Sequence, residues 1–160
     1  MYLQYYTPLA TRINALSNIQ SVDWFNNQYE RTEELKAIKY PAVFVDFESP
    51  TVWTTQGKGL QIGLAQISFH VVVNNLNTEP DLADQRADDV HKELQDSVIS
   101  NSDGVVLSSR LSRVESEIIL TFDQIKVIKI TYSCELQDRS TMACESEVTT
   151  VSLNTTWGTP

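Results

Sequence analysis

From Ile128 to Leu136 the chain alternates with a period of two. Ile128, Ile130, Tyr132, Cys134 and Leu136 fall on one side, and Lys129, Thr131, Ser133 and Glu135 on the other. Side chains of a strand point in turn to opposite faces, so the run Ile125–Leu136 is a half-buried strand. One buried face and one open face are the mark of an antiparallel sheet. A second strand, about Arg113–Phe122, precedes it across the short Asp123-Gln124 turn. The rest of the chain must supply whatever covers the apolar face.

Two further strand runs lie upstream. Ala42–Phe47 is rich in Val and Phe and reads as a strand buried on both sides, ended by Glu48-Ser49-Pro50. Residues 49–59 read as a loop or a protruding hairpin tip holding Trp53 and Gly57-Lys58-Gly59. A long strand follows from Leu60 to Val73. Leu60, Ile62 and Leu64 share one parity, and Ala65, Ile67, Phe69, Val71 and Val73 the other. That change predicts a twist or bulge near Gly63–Ala65 and a long hairpin projecting from the domain.

Helical spacing appears twice. Thr7 as cap and Pro8 in the first turn predict a helix over about 8–20, with Leu9, Ile13 and Leu16 on one stripe. Pro80 and Asp81 open a second helix over about 80–98, with Leu82 or Ala83, Ala87, Val90, Leu94 and Val98 in line. Val22, Trp24, Phe25 and Tyr29 form an aromatic patch without a clear period. Asp103-Gly104 is a turn signal. These elements predict an α+β domain over 1–138, two helices packed on one face of a mostly antiparallel sheet. Residues 139–160 differ: nine of the 22 are Ser or Thr and none is Lys. They read as an extension, either a flexible tail or a strand around Val148–Leu153 that needs a partner.

At 160 residues the chain is one domain, large enough to need neither disulfide nor metal for its core. Twelve basic against 21 acidic residues give net −9, which disfavours nucleic acid or an anionic membrane as main partner. Five glycines make phosphate-cradling loops unlikely. The first twenty residues lack the basic and apolar regions of a signal peptide, and no apolar run reaches ~18 residues. The expectation is a protein made in a cytoplasm.

No catalytic constellation emerges. His70 and His91 stand in no ligand spacing, and His70, opposite in parity to the apolar set, is expected to face solvent or an interface. Cys134 reads as a small core hydrophobe, and Cys134 and Cys144 make no metal cluster. Glu79, Asp81, Asp84, Asp88, Asp89, Glu93, Asp96 and Asp103 against Arg86 and Lys92 give the second helix region net −6. The plain reading is a solvated helix face, the sharper one a surface that meets a basic partner or repels phosphate. Neither an enzyme nor a cofactor is expected.

Taken together, several segments form a familiar order. The N-terminal helix leads to Tyr40-Pro41-Ala42-Val43-Phe44-Val45. The strand Ile67-Ser68-Phe69-His70-Val71-Val72-Val73 follows, then the helix Ala83–Leu94 and the strand Lys129-Ile130-Thr131-Tyr132-Ser133-Cys134. Over about residues 8–137 this resembles the tail terminator, or tail completion and head–tail joining, proteins of tailed bacteriophages. The resemblance implies a non-enzymatic virion protein of the phage neck, assembled in the host cytoplasm. Its homo-oligomer, commonly a hexameric ring, would cap the tail tube protein and dock on the head connector or stopper protein. DNA would only pass through the lumen, and no membrane or cofactor is involved. Another neck role (stopper or adaptor) and a non-viral small-molecule or peptide-binding domain are the alternatives. Trp53, Lys58 and Trp157 are the interface candidates, because each Trp sits in a polar segment that cannot bury it alone.

Overall fold

The computed structural model describes residues 2–28, 31, 37–74, 79–122 and 125–140, those at 49–51 and 120–122 by backbone only. The elements run α1 (Leu3–Asn14), β1 (Ser21–Trp24), β2 (Ala42–Thr55), β3 (Gln61–Val73), α2 (Leu82–Leu94), β4 (Ser112–Phe122) and β5 (Ile125–Asp138). The strands form one sheet in the order β1-β2-β3-β5-β4. Only β1–β2 is parallel; the other pairs are antiparallel. This is the expected α+β architecture, with a long β2–β3 hairpin and both helices on one face.

The period-2 reading of β5 holds throughout. Ile128, Ile130, Tyr132, Cys134 and Leu136 enter one core with Ala65, Ile67, Phe69, Val71 and Val73 of β3 and Val43, Val45 and Phe47 of β2. Tyr5, Leu9 and Ile13 of α1 and Ala83, Ala87, Val90 and Leu94 of α2 close it from above. Fully burying each larger aliphatic side chain contributes roughly 1.5–3 kcal/mol, which fixes both helices on the sheet. On the opposite face a smaller cluster of Ala42, Phe44, Val72 and Val127, flanked by Phe25, Ile38 and Tyr40, covers one end. Burial of β2 on both sides follows from these two clusters.

The first helix begins five residues earlier than its capping signals predict. Thr7 caps nothing: its hydroxyl donates to the Leu3 carbonyl at 3.0 Å, and Pro8 lies inside the helix. Tyr5 extends the stripe by one turn; it is fully buried, and its hydroxyl donates to the Gln137 carbonyl at 3.1 Å. That burial offsets the hydrogen bond lost at Pro8. Leu16, beyond the helix end, still packs against the core. The irregular aromatic patch hides β1, too short at four residues to show a period.

Nor does β2 stop at Pro50. The strand continues to Thr55, and its register against β3 slips between Glu48 and Val52. A bulge absorbs the Ser49-Pro50 insertion, since Pro cannot donate to a ladder. The expected irregularity is therefore real but lies on the strand facing Ala65 rather than in β3, which pairs with β5 without a break. Leu64 simply belongs to the open face.

The second helix ends at Leu94, four residues short of the expected limit. Asp96 adopts φ 59°, its N–H donates to the Leu111 carbonyl at 3.0 Å, and Ser97 Oγ donates to the Leu94 carbonyl at 2.6 Å. The chain turns there, so Ile99 enters the core and Val98 stays half-buried.

Candidate functional site

At the tip of the β2–β3 hairpin the chain turns through Gly57, Lys58 and Gly59, with φ of 94°, 50° and 83°. Gln56 N–H donates to the Leu60 carbonyl at 2.8 Å and Leu60 N–H to the Gly57 carbonyl at 3.0 Å. Positive φ at three successive residues explains the two glycines, which adopt it without a Cβ penalty. Lys58 is exposed on this tip. Trp53 lies across from Gly63 and packs half-buried against the main core. Its neighbour Val52 pairs with Leu64 on the open face, and these two are 71% and 63% exposed. Two large apolar side chains opposed across strands and left in water are the marks of a contact surface. Of the three interface candidates, Trp53 and Lys58 thus occupy one hairpin end, and Trp157 lies outside the described residues, as does the strand expected at Val148–Leu153.

The middle of the open face is polar and tightly connected. Glu48 accepts from Ser68 Oγ at 2.6 Å and from Lys129 Nζ at 2.8 Å, and Ser68 and Thr131 hydroxyls meet at 2.9 Å. Lys129 also reaches Glu117 at 3.9 Å. The Lys129 and Ser68 hydrogen bonds hold the Glu48 carboxyl below its ordinary value, and the Glu48 bond raises Lys129. Burial, then the nearby Glu48 charge, raises Asp46. Glu48 and Lys129 hold each other, and Ser68 and Thr131 extend the bond network into a rigid polar surface.

His70 was expected to face solvent or an interface, and it is instead covered by Phe25 of its own chain. It stands on the open face, as its parity requires, but only 3% exposed, with Phe25 stacked on it at 4.1 Å and 6°. Burial, then the nearby Lys129 charge, depresses it to about 4. Nothing in a period-2 reading shows that the segment after β1 folds back over this ring. His91 Nδ1 lies 2.8 Å from the Tyr132 hydroxyl, which ties α2 to β5. The Cys134 thiol is buried as expected, and burial pushes it up to about 12, where it is no nucleophile; Cys144 lies outside the described residues.

The acidic helix is not merely solvated. Asp84 binds Lys126 at 2.7 Å, Asp89 binds Arg86 at 2.6 Å, and Glu93 lies 3.5 Å from Arg12. Asn18 also donates to Asp89. Several of its carboxylates therefore dock α2 against α1 and β5. Among the described residues no group of three or more His, Cys, Asp or Glu is placed to hold a metal, and no helix is long and apolar enough to cross a membrane. A depression of about 380 Å³ beside β1 is lined by Ser21, Val22, Asp23, Gln28, Ala37, Ile38, Lys39 and Phe44. Among the described residues its charged lining groups are Asp23 and Lys39.

No protein-family model matches the chain, and no curated protein matches it. Among solved structures it is similar to a chain of the virion of a native gene transfer agent particle. The superposition has a TM-score of 0.52 at 12% identity and covers 85% of this chain and 95% of that one. At that identity what the two share is the fold, over nearly the whole of the other chain.

Proposed function

We propose that this chain is a structural subunit of a tailed-phage-like virion. In the finer form of this reading it is a tail terminator: a non-enzymatic homo-oligomeric ring, hexameric, that caps the tail tube and joins it to the head connector. One observation carries the proposal, namely a fold shared with a virion-particle chain across 95% of that chain. The surface is consistent with it. Large aliphatic residues that a solitary domain would bury are exposed at Val52 and Leu64 on the hairpin end and at Val114, Ile118 and Ile119 on β4. Subunits of a ring present such patches to their neighbours. Trp53, Lys58 and Trp157 are the proposed contact residues for the ring or for its tube and connector partners.

Removing the gene product from the producing particle tests this role. A tail terminator leaves tails that grow beyond their normal length and fail to join heads. A stopper or adaptor leaves normal tails or filled heads that lose DNA, and it would replace the finer reading. Particles that form normally without the protein would overturn the proposal.

A further inference from the structure

We infer that copies of this chain join through their two edge strands, β4 of one copy lying antiparallel beside β1 of the next. The inference deepens the ring reading above and rests on it. Its origin is the register of the sheet. Val22 pairs with Val43, Val43 with Val71, Val71 with Ile128, and Ile128 with Ile118. One ladder row therefore crosses all five strands with an aliphatic residue at every position. In the middle it is buried core; at its ends it is unfinished. Val22 is half-buried, and Ile118 is 60% exposed with Ile119 beside it at 41%.

Strand polarity decides how the row can continue. β1 and β2 run one way, β3 the other, β5 with β2, and β4 with β3. Two copies set side by side in the same orientation thus bring β4 and β1 together antiparallel, the pairing that needs no inversion of either subunit. Among the described residues each of these strands is paired on one side only. In that arrangement Ile118 of one copy arrives at the level of Val22 of the next, and the aliphatic row runs on across the boundary. A same-direction contact of this kind is heterologous, and it makes a ring where the rotation between successive copies closes.

The 380 Å³ depression beside the β1 edge opens on the Phe44 side of the sheet, opposite the Val22–Ile118 row, and presents Ala37, Ile38 and Phe44 next to that edge. One row further along, Asp23 pairs with Phe44, Phe44 with His70, His70 with Lys129 and Lys129 with Glu117. Glu117 therefore arrives beside Asp23, a like-charge pair that Lys39 on the same rim has to offset. The competing contact, β4 against β4 of a second copy about a two-fold axis, buries Ile118 and Ile119 but leaves the β1 edge uncovered.

Hydrogen exchange on the assembled full chain, compared with the unassembled protein, reads both edges at once. Expected are slowed amides at 21–24 and 116–120 together. The variant Ile118→Lys raises the concentration for half-assembly at least tenfold and leaves the thermal midpoint unchanged; Ile118→Thr serves if the lysine variant folds poorly. Slowing at 116–120 alone would establish the two-fold β4 contact and overturn the inference. Slowing at neither edge in a ring that does form would overturn the inference and leave the ring reading standing. A chain that forms no ring, alone or on the particle, removes both.

Discussion

The end of α2 makes a sharp test of the fold, because periodicity and structure choose different core residues. Helical spacing places Val98 on the stripe after Leu94; the structure ends the helix at Leu94 and buries Ile99 instead. Ile99 is 1% exposed, so Ile99→Ala removes fully buried carbons and leaves a cavity, a loss of about 2–5 kcal/mol. Val98 is half-buried, and truncating it to Ala removes two partly wet methyl groups, worth about 1 kcal/mol or less. For a domain of this size each kcal/mol moves the midpoint by roughly 2–4 °C. Ile99→Ala should therefore lower Tm by several times the shift of Val98→Ala, in paired thermal melts followed by circular dichroism. Equal losses, or a larger one at Val98, would mean that the helix continues past Asp96 and that the account of its termination is wrong.

Four other outcomes follow from the same packing. Leu94→Ala, at a fully buried position, should cost about 2–5 kcal/mol in urea unfolding; a loss under 1 would take α2 off the sheet. His70 is held at about 4 in the folded state against 6.5 unfolded, so the unfolded chain binds the proton first. Stability due to this group is complete above pH 6.5 and falls by roughly 3 kcal/mol as pH drops toward 4; a His70→Gln variant with an equally steep acid slope would exclude His70 as the cause. A double-mutant cycle on Glu48 and Lys129 should give about 0.2–1 kcal/mol of coupling, because both side chains keep some water; a coupling of several kcal/mol would mean that water does not reach the pair. Cys134, buried with its thiol pushed up to about 12, should resist alkylation until the protein unfolds, read by mass spectrometry of the labelled peptide.

What the sequence made legible was whatever repeats over enough residues to declare a period. β5 shows its two faces along nine residues, and β4 falls where expected, while Asp123-Gln124 lies outside the described residues. The stripes Leu9/Ile13 and Ala87/Val90/Leu94 are buried as expected. Local chemistry misled where tertiary burial outweighs it. Thr7-Pro8 is a sound helix opening in isolation, but Tyr5 gains more from the core than the cap would supply. Ser49-Pro50 would end a strand that had no long partner, yet β3 holds β2 beyond it through a bulge. β1 carries only four residues and takes its identity from pairing with β2, which no local pattern encodes. Of the candidate contact residues, Trp53 was visible as a Trp in a polar segment. Val52 and Leu64 became a patch only once the hairpin register set them opposite each other, and the edge row ending at Ile118 needs all five strands in place.

The central claim is that this chain works as a ring subunit of a virion. Cryo-electron microscopy of the particle that carries it tests the claim most directly. The account predicts a closed ring of six copies at the head–tail junction, with the β2–β3 hairpins and the β4 edges inside the contacts between protein chains. A single copy per particle, a place in the capsid shell, or absence from the particle would contradict it.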